Sequence, residues 1–370
     1  MAQKEMDRRQ FLQTSLSIGA SLALGGALGA CGGGSDSGWG ESNSLQSLGA
    51  IDAHAHPDQF YSLNPGVIDS TSTLAVITDS GMCASSFAAI GDLLFLYNGV
   101  TGQNEASNTT VQLNRVLALA AADKVKIVRT SAEIPASRTG GTLPGAILTI
   151  EGGDALMGDV DRVDTFYAMG VRLMVLVHAR NNDLGDVMSP RTGRDPGPVN
   201  GGLTATGESV VVRMQSLGML VDLAHASRET VQDVVALSTK PVIDSHTSPH
   251  YPSDPNSWKR LRPWDEMEWI ASTGGVVCTW PIAYNVGGVV RQTFDQWAQE
   301  IVDMKNHLGM AHVGLGTDGG GGLPACITGY NSITDLSHLA EAMRRAGLGE
   351  DDIRAYFGGN LKRVLSQAIG

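Results

Sequence analysis

The chain has 370 residues, of which 42% are hydrophobic and 17% charged, so it can form a large core and is not a wholly disordered protein. It contains 26 Lys and Arg and 38 Asp and Glu, so its formal net charge is -12. This charge argues against a nucleic-acid-binding protein, since binding to phosphates needs a basic surface. No apolar run after residue 31 is long enough to span a membrane.

Residues 1–31 are typical of an export signal. Arg8 and Arg9 precede a weakly apolar stretch, as in twin-arginine signal peptides. This stretch ends in Leu-Gly-Ala-Cys31, which resembles a lipobox, so we expect Cys31 to be lipidated and to become the mature N-terminus. The alternative is an amphipathic helix with an incidental cysteine. We therefore expect an exported protein that is lipid-anchored in the cell envelope, on the periplasmic face of the outer membrane if the host is Gram-negative.

Residues 32–49 are rich in Gly and Ser and predict a flexible tether to the folded part. Three cysteines remain beyond this point, Cys83, Cys278 and Cys326, and none of them lies in a CxxC pair. We expect them to be structural rather than catalytic or metal-binding.

From residue 50 onward, short apolar runs alternate with amphipathic stretches, a pattern that favours a parallel α/β fold. The predicted strands are Ala50-Ile51, Val125–Val128, Ala146–Ile150, Val171–Val177, Met219–Leu223, Pro241–Ile243, Gly275–Cys278 and Val313–Gly316. The predicted helices include Glu208–Leu217, Ser227–Leu237, Thr293–His307 and Asp351–Gln367. Eight strands without an internal linker predict a single (β/α)8 TIM barrel over residues 50–370.

Polar side chains follow most of the predicted strands. The residues at or just beyond the strand ends are His54, His56, Glu151, His178, His225, His246 and Asp318. In a barrel the C-terminal ends of all strands meet at one mouth, so these side chains are expected to face one another there.

Their chemistry predicts a metal site. His54 and His56 point to the same side of an extended strand and can bind one divalent ion, and His225 and His246 can bind another. Glu151 can bridge the two ions, and a water between them would be deprotonated near neutral pH. For any one of these histidines alone, a hydrogen-bonded loop residue is the alternative. His250, His307, His312 and His338 lie away from strand ends and are expected to be ordinary.

Several stretches resemble the zinc-dependent membrane (renal) dipeptidases of the amidohydrolase superfamily. They are IEGGDAL at 150–156, GVRLMVLVHARNNDLGD at 170–186, GLTATGESVV at 202–211, LGMLVDLAHAS at 217–227, KPVIDSH at 240–246, TGGVV at 273–277, HVGLGTD at 312–318 and GGNLKRVL at 358–365. The resemblance covers the chain from about residue 50 to its end, and it is weak only between about 57 and 120.

The resemblance implies a site with two Zn²⁺ ions per chain, held by His54, His56, Glu151, His225 and His246. It implies that His178 contacts the substrate carbonyl and stabilises the oxyanion, and that Asp318 engages the substrate amine and passes a proton to the leaving group. It also implies an arginine that holds the free carboxylate of the substrate. Arg260 fits that arginine without a gap, and Arg262 is the alternative. Family members often form dimers, so a homodimer is a further expectation.

Two departures from the family pattern stand out. His56 replaces the usual aspartate, which is expected to weaken the first metal site because an anionic ligand is lost. Gly319–Gly322 replaces a second acid and is expected to be a flexible loop.

The predicted function is metal-dependent hydrolysis of the amide bond of small dipeptides by a hydroxide that bridges the two metal ions. Two alternatives stay open. One is another amidohydrolase activity on acyl-amino acids, lactones or cyclic amides. The other is a catalytically impaired, lipid-anchored binding protein.

Overall fold

The computed structural model describes residues 45–59, 61, 70–96, 103–138, 141–188, 198–250, 260–286, 289–323 and 325–370. The predicted signal segment 1–31 with its Cys31, and residues 32–44 of the predicted tether, lie outside the described residues. The remainder of the predicted tether is not a flexible linker, because Leu45–Leu48 forms a short helix in which Leu45 and Leu48 are buried. In the described ranges, no helix is both long and apolar enough to cross a membrane.

Eight parallel strands form the barrel, and the described residues contain three further short strands. In chain order, the eleven strands are β1 (Ile51–Asp52), β2 (Ala84–Ile90), β3 (Lys126–Ile127), β4 (Gly145–Glu151), β5 (Leu173–Val175), β6 (Leu220–Asp222), β7 (Ile243–Thr247), β8 (Val276–Thr279), β9 (Tyr284–Val286), β10 (Val289–Arg291) and β11 (Val313–Leu315). Their order in the main sheet is β1-β2-β4-β5-β6-β7-β8-β11, while β9 and β10 form a separate antiparallel pair. The ring closes where the N–H of Ala53 donates to the carbonyl of Leu315 at 3.1 Å. The predicted TIM barrel is therefore confirmed.

One strand assignment is wrong. Residues 125–128 contain only the short β3, which pairs with β4 outside the path of the barrel. The second barrel strand is instead Ala84–Ile90, which is buried throughout. Its sequence, ASSFAAI, is mostly small residues with Ile90 as its β-branched member, so it lacks the usual composition of a buried strand. Burial of both faces, rather than intrinsic preference, stabilises it.

The helices of the described residues cover the outside of the barrel. They are Leu45–Leu48, Leu74–Ser80, Leu93–Leu96, Glu105–Ala121, Arg162–Met169, Ala205–Leu217, Arg228–Leu237, Trp264–Ser272, Phe294–Leu308, Leu336–Arg345, Glu350–Arg354 and Asn360–Ile369. Ser227 and Thr293 are N-caps whose side chains accept the backbone N–H three residues on. The helix predicted over 351–367 is interrupted by a π-helical turn at Ala355–Gly359.

The barrel interior is apolar below the mouth. Ile147, Leu173, Leu220 and Val276 pack there in one cluster, together with Leu361 from the C-terminal helix. This packing closes the bottom of the barrel and leaves the C-terminal ends of the strands for polar side chains.

Candidate metal centre

The five predicted metal ligands lie together at the mouth, around Glu151. All are at most 5% exposed. The Oε1 atom of Glu151 lies 3.1 Å from Nε2 of His225 and 3.5 Å from Nε2 of His54. Its Oε2 atom lies 3.3 Å from Nε2 of His56. Nε2 of His246 is 2.9 Å from Nε2 of His225. The barrel thus brings together residues that are up to 192 positions apart, from His54 to His246.

These atoms form two sets of three that share Glu151. One set is His54, His56 and Glu151, and the other is Glu151, His225 and His246; within each, the donor atoms lie within 4.8 Å of one another. Imidazole nitrogens with a shared carboxylate are a donor set that suits a pair of divalent transition ions. A third set joins His54 and His246, one histidine from each of the first two sets, with Asp318, which follows the last barrel strand.

Two of the candidate ligands, His54 and His56, direct Nε2 toward Glu151. His56 donates from Nδ1 to the carbonyl of Ala88 at 2.8 Å, because a carbonyl only accepts. In the neutral ring the lone pair is then on Nε2, which lies 3.3 Å from Oε2 of Glu151. Nε2 of His54 is buried and lies 3.5 Å from Oε1 of Glu151, which is long for a hydrogen bond, although buried polar atoms are normally well satisfied. A metal ion would satisfy both nitrogens, so the residues fit the expected metal.

Burial and mutual charge determine the protonation of the ligands. Burial lowers the pKa of His54, but the charge and hydrogen bond of Glu151 outweigh it and raise that pKa to about 9. Burial, followed by the charge of Arg260, holds the pKa of His225 well below its usual range. Burial, followed by the charge of His54, does the same for His246. Burial raises the pKa of Glu151, but the charges of His178 and His54 prevail and hold it well below its usual range.

Three buried aspartates, Asp52, Asp222 and Asp244, lie on the strands that carry ligand histidines, and they are not among the predicted site residues. Asp52 accepts hydrogen bonds from the backbone N–H of His54 at 3.2 Å and of Thr317 at 2.8 Å. Asp222 accepts from the backbone N–H of Ala224 and of Ser245, each at 3.0 Å, which ties β6 to β7. The third is Asp244. A signal was present, because each aspartate stands two or three residues before a ligand histidine.

His178 lies beside the ligand cluster and is 1% exposed. Its Nε2 is 3.6 Å from Oε1 of Glu151, and its Nδ1 is 2.8 Å from Oδ1 of Asp92. Asp92 was not predicted, since it follows β2, the strand that the sequence pattern missed. Asp318 lies on the other side of the cluster, with Oδ1 3.6 Å from Nε2 of His56.

The first part of the glycine run after Asp318 is packed rather than loose, contrary to the expectation of a flexible loop, whereas Gly322 is exposed. Gly319 and Gly320 are buried. A Cβ on Gly320 would lie 2.3 Å from the carbonyl oxygen of His56, and one on Gly321 would lie 2.2 Å from Oδ1 of Asp318. Glycine is needed here because the backbone passes directly against two site residues.

The two candidate arginines have different surroundings. Arg262 is fully buried and pairs with Asp244 and Glu266, so the alternative that Arg262 holds a substrate carboxylate does not fit. Arg260 is half-buried at the mouth, with Nη1 2.7 Å from Nδ1 of His225. The geometry therefore places a guanidinium directly beside the metal ligands.

The remaining histidines have contacts away from this cluster. His307 stacks on Trp264, His312 contacts the carbonyl of Gly275, and His338 packs against Phe294. His250 is half-buried and follows β7. Cys83 and Cys278 are buried thiols, and Cys326 is half-buried.

Comparisons with known proteins agree with the fold and with the family resemblance. A family model described as membrane dipeptidase (peptidase family M19) matches residues 72–369. The dipeptidase verJ of Clonostachys rogersoniana is 28% identical over 243 residues, 66% of this chain and 60% of that protein. The dipeptidase aclJ of Aspergillus oryzae is 30% identical over 222 residues, 60% of this chain and 50% of that protein. The chain thus matches about half to three fifths of the length of these curated relatives.

Solved structures share the fold. An amidohydrolase from Pseudomonas aeruginosa superposes with a TM-score of 0.70 at 22% identity, covering 88% of this chain and 99% of its own. A metallo peptidase from Rhodobacter sphaeroides, liganded with a phosphinate mimic of the dipeptide L-Ala-D-Ala, superposes with a TM-score of 0.70 at 21% identity, covering 86% and 99%.

Proposed function

The chain belongs to the membrane dipeptidase family, peptidase family M19, and we propose that it is a metal-dependent hydrolase of small dipeptides. The observation that carries this proposal is the arrangement around Glu151, where two sets of metal donors meet and Arg260 stands 2.7 Å from a donor, His225. Relatives named as dipeptidases, and the fold shared with a peptidase liganded with a dipeptide mimic, support the same substrate class.

The proposed cofactor is Zn²⁺, two ions per chain. His54, His56 and Glu151 would hold the first, with Asp318 in reach as a further ligand, and Glu151, His225 and His246 would hold the second. The two metal ions would supply an activated water and a Lewis acid for the substrate carbonyl.

The protein's own residues would bind and orient the dipeptide. Arg260 offers a planar cation that suits a carboxylate, and because it stands beside the metal donors, it can select substrates whose free carboxylate is one residue from the scissile bond. This spacing would exclude long peptides. Nε2 of His178 lies 3.6 Å from Oε1 of Glu151, so it can contact the carbonyl oxygen of a substrate held beside the metal donors. Asp318 can accept a hydrogen bond from the substrate amine and later pass a proton to the leaving amine.

A panel of substrates tests the proposal. The zinc-loaded protein is incubated with Xaa-Xaa dipeptides, the matching tripeptides and the matching dipeptide amides. We expect turnover of the free dipeptides alone. Absence of dipeptide turnover by fully loaded protein would overturn the proposal.

The same assay separates the two alternatives. Hydrolysis of N-acyl amino acids, lactones or cyclic amides instead of dipeptides would indicate another amidohydrolase activity on this scaffold. Tight dipeptide binding without any hydrolysis would indicate a binding protein.

A further inference from the structure

A buried carboxylate outside the predicted site contacts His178. Asp92 is 0% exposed and follows β2 by two residues. We infer that Asp92 is a positioning residue that fixes the ring of His178 for the hydrolysis of the substrate amide. This inference rests on the proposed function, and it adds a residue that neither the motifs nor the metal donor sets contain.

The two carboxylate oxygens of Asp92 contact His178 and the residue that follows it, Ala179. Oδ1 lies 2.8 Å from Nδ1 of His178, and Oδ2 accepts the backbone N–H of Ala179 at 2.9 Å. The two side chains are 0% and 1% exposed, so water does not compete for these contacts. An ionised carboxylate only accepts hydrogen bonds, so the proton of this contact lies on Nδ1. Nε2 is then the atom directed at the metal donors, 3.6 Å from Oε1 of Glu151.

The backbone around Asp92 is built to keep it in place. Gly91 donates its N–H to the carbonyl of Glu151 at 2.7 Å, and a Cβ on Gly91 would lie 1.8 Å from the carbonyl oxygen of Gly152. Only glycine allows β2 and β4 to approach this closely at their C-terminal ends. The side chain of Gln112 holds the residue before Gly91, since it accepts the N–H of Ile90 at 2.8 Å and donates to its carbonyl at 2.9 Å. Asp92 therefore projects from a fixed platform next to the metal donors.

This arrangement satisfies two donors with one carboxylate, which an amide cannot do. In an Asp92→Asn variant, one oxygen can accept from Nδ1 of His178 or from the N–H of Ala179, and the amide NH₂ then opposes the other donor. Either the ring changes its tautomer and orientation or a buried N–H loses its partner. The volume of the side chain is almost unchanged, so packing stays the same.

The Asp92→Asn variant is assayed beside the parent with metal content measured by elemental analysis. We expect kcat to fall by about 10- to 100-fold, the range for residues that orient a functional histidine, while KM changes by less than about threefold. Metal content should equal that of the parent, because Asp92 belongs to neither donor set. An unchanged kcat would overturn the inference.

Asn360→Ala provides the control for a purely structural effect. It removes the two hydrogen bonds that Nδ2 of Asn360 donates to the carbonyls of Met310 and Val313, and none of these bonds involves Asp92 or His178. We expect a lower Tm with kcat within about threefold of the parent. A loss of kcat as large as that of Asp92→Asn would show that lost stability alone lowers turnover, and would overturn the inference.

A second measurement does not depend on turnover. In protein labelled with ¹⁵N-histidine, the ring signals of His178, assigned with a His178→Gln variant, should show a protonated Nδ1 in the parent and a changed pattern in Asp92→Asn. A bare Nδ1 in the parent would overturn the inference. If the parent hydrolyses no dipeptide, the proposed function fails, whereas this spectrum still decides whether Asp92 orients the ring.

Discussion

Thr317 donates two hydrogen bonds to the carboxylate of Asp52, where the first and the last barrel strand meet. The backbone N–H of Thr317 donates to Oδ1 and its hydroxyl donates to Oδ2, although the two residues are 265 positions apart. The contact closes the barrel directly beneath His54, whose own N–H also binds Asp52. Closure of the fold and placement of the first metal ligand thus depend on the same carboxylate.

Thr317→Val removes the hydroxyl and keeps the shape. A buried carboxylate oxygen then loses its donor, so we expect the free energy of unfolding to fall by about 1–3 kcal/mol. Urea denaturation measures this loss. Thr317→Ser keeps the hydroxyl and should stay close to the parent, and equal midpoints for the Val variant and the parent would contradict the prediction.

Replacement of Arg260 should lower activity, whereas replacement of Arg262 should lower the stability of the fold. Arg260→Met is expected to lower kcat/KM for free dipeptides by about 10- to 100-fold while the fold persists, because a charge-assisted contact with the carboxylate is lost. Arg262→Met leaves Asp244 and Glu266 buried without their cation, and should cost about 3–5 kcal/mol of unfolding free energy. Kinetics and Tm of both variants test this. Equal activity of Arg260→Met and the parent on free dipeptides would contradict the role of Arg260.

Metal binding to the first site should release a proton at neutral pH. The pKa of His54 is about 9 without metal, so this ring is protonated at pH 7 and must lose its proton to bind an ion. Affinity for the first ion should therefore fall about tenfold for each pH unit below about 9. His225 and His246 have lowered pKa values and are already neutral at pH 7, so binding of the second ion should release no protons from these two rings. Calorimetric titration with Zn²⁺ in two buffers of different ionisation enthalpy measures the released protons, and identical heats would contradict this prediction.

Lipid anchoring is a separate proposal, and it concerns residues outside the described ranges. Cys31→Ser should abolish incorporation of labelled palmitate and move the protein from the membrane fraction to the soluble envelope fraction. Replacing Arg8 and Arg9 by lysine should retain the precursor inside the cell. Unchanged lipid labelling of Cys31→Ser would contradict the anchor at that residue.

The clustering of the candidate metal donors could be predicted from the sequence because it depends on a simple geometric rule. His54, Glu151, His225 and His246 each stand at the C-terminal end of a parallel strand, and a barrel brings such ends together whatever the helices between them look like. The fold class followed from the same alternation of apolar runs. Neither inference needed knowledge of packing.

Asp92 could not be found in this way. Its strand, Ala84–Ile90, consists largely of small residues, so its identity as a strand depends on burial against β1 and β4, which local sequence does not show. The glycine run after Asp318 was misjudged for a related reason. Gly319 and Gly320 suggest flexibility by composition, whereas the structure uses them for close backbone contact with His56.

Glu151 belongs to both donor sets, so the metal content of the parent and of a Glu151 variant tests the proposed binuclear centre most directly. Elemental analysis of the purified protein should find two equivalents of zinc per chain, including with His56 in place of the family's aspartate. Glu151→Gln should lower the content to one equivalent or less, with the fold retained by circular dichroism, because both sets lose their anionic ligand. A parent protein with one equivalent or less after zinc loading, or a Glu151→Gln variant that keeps two, would contradict the proposed binuclear centre.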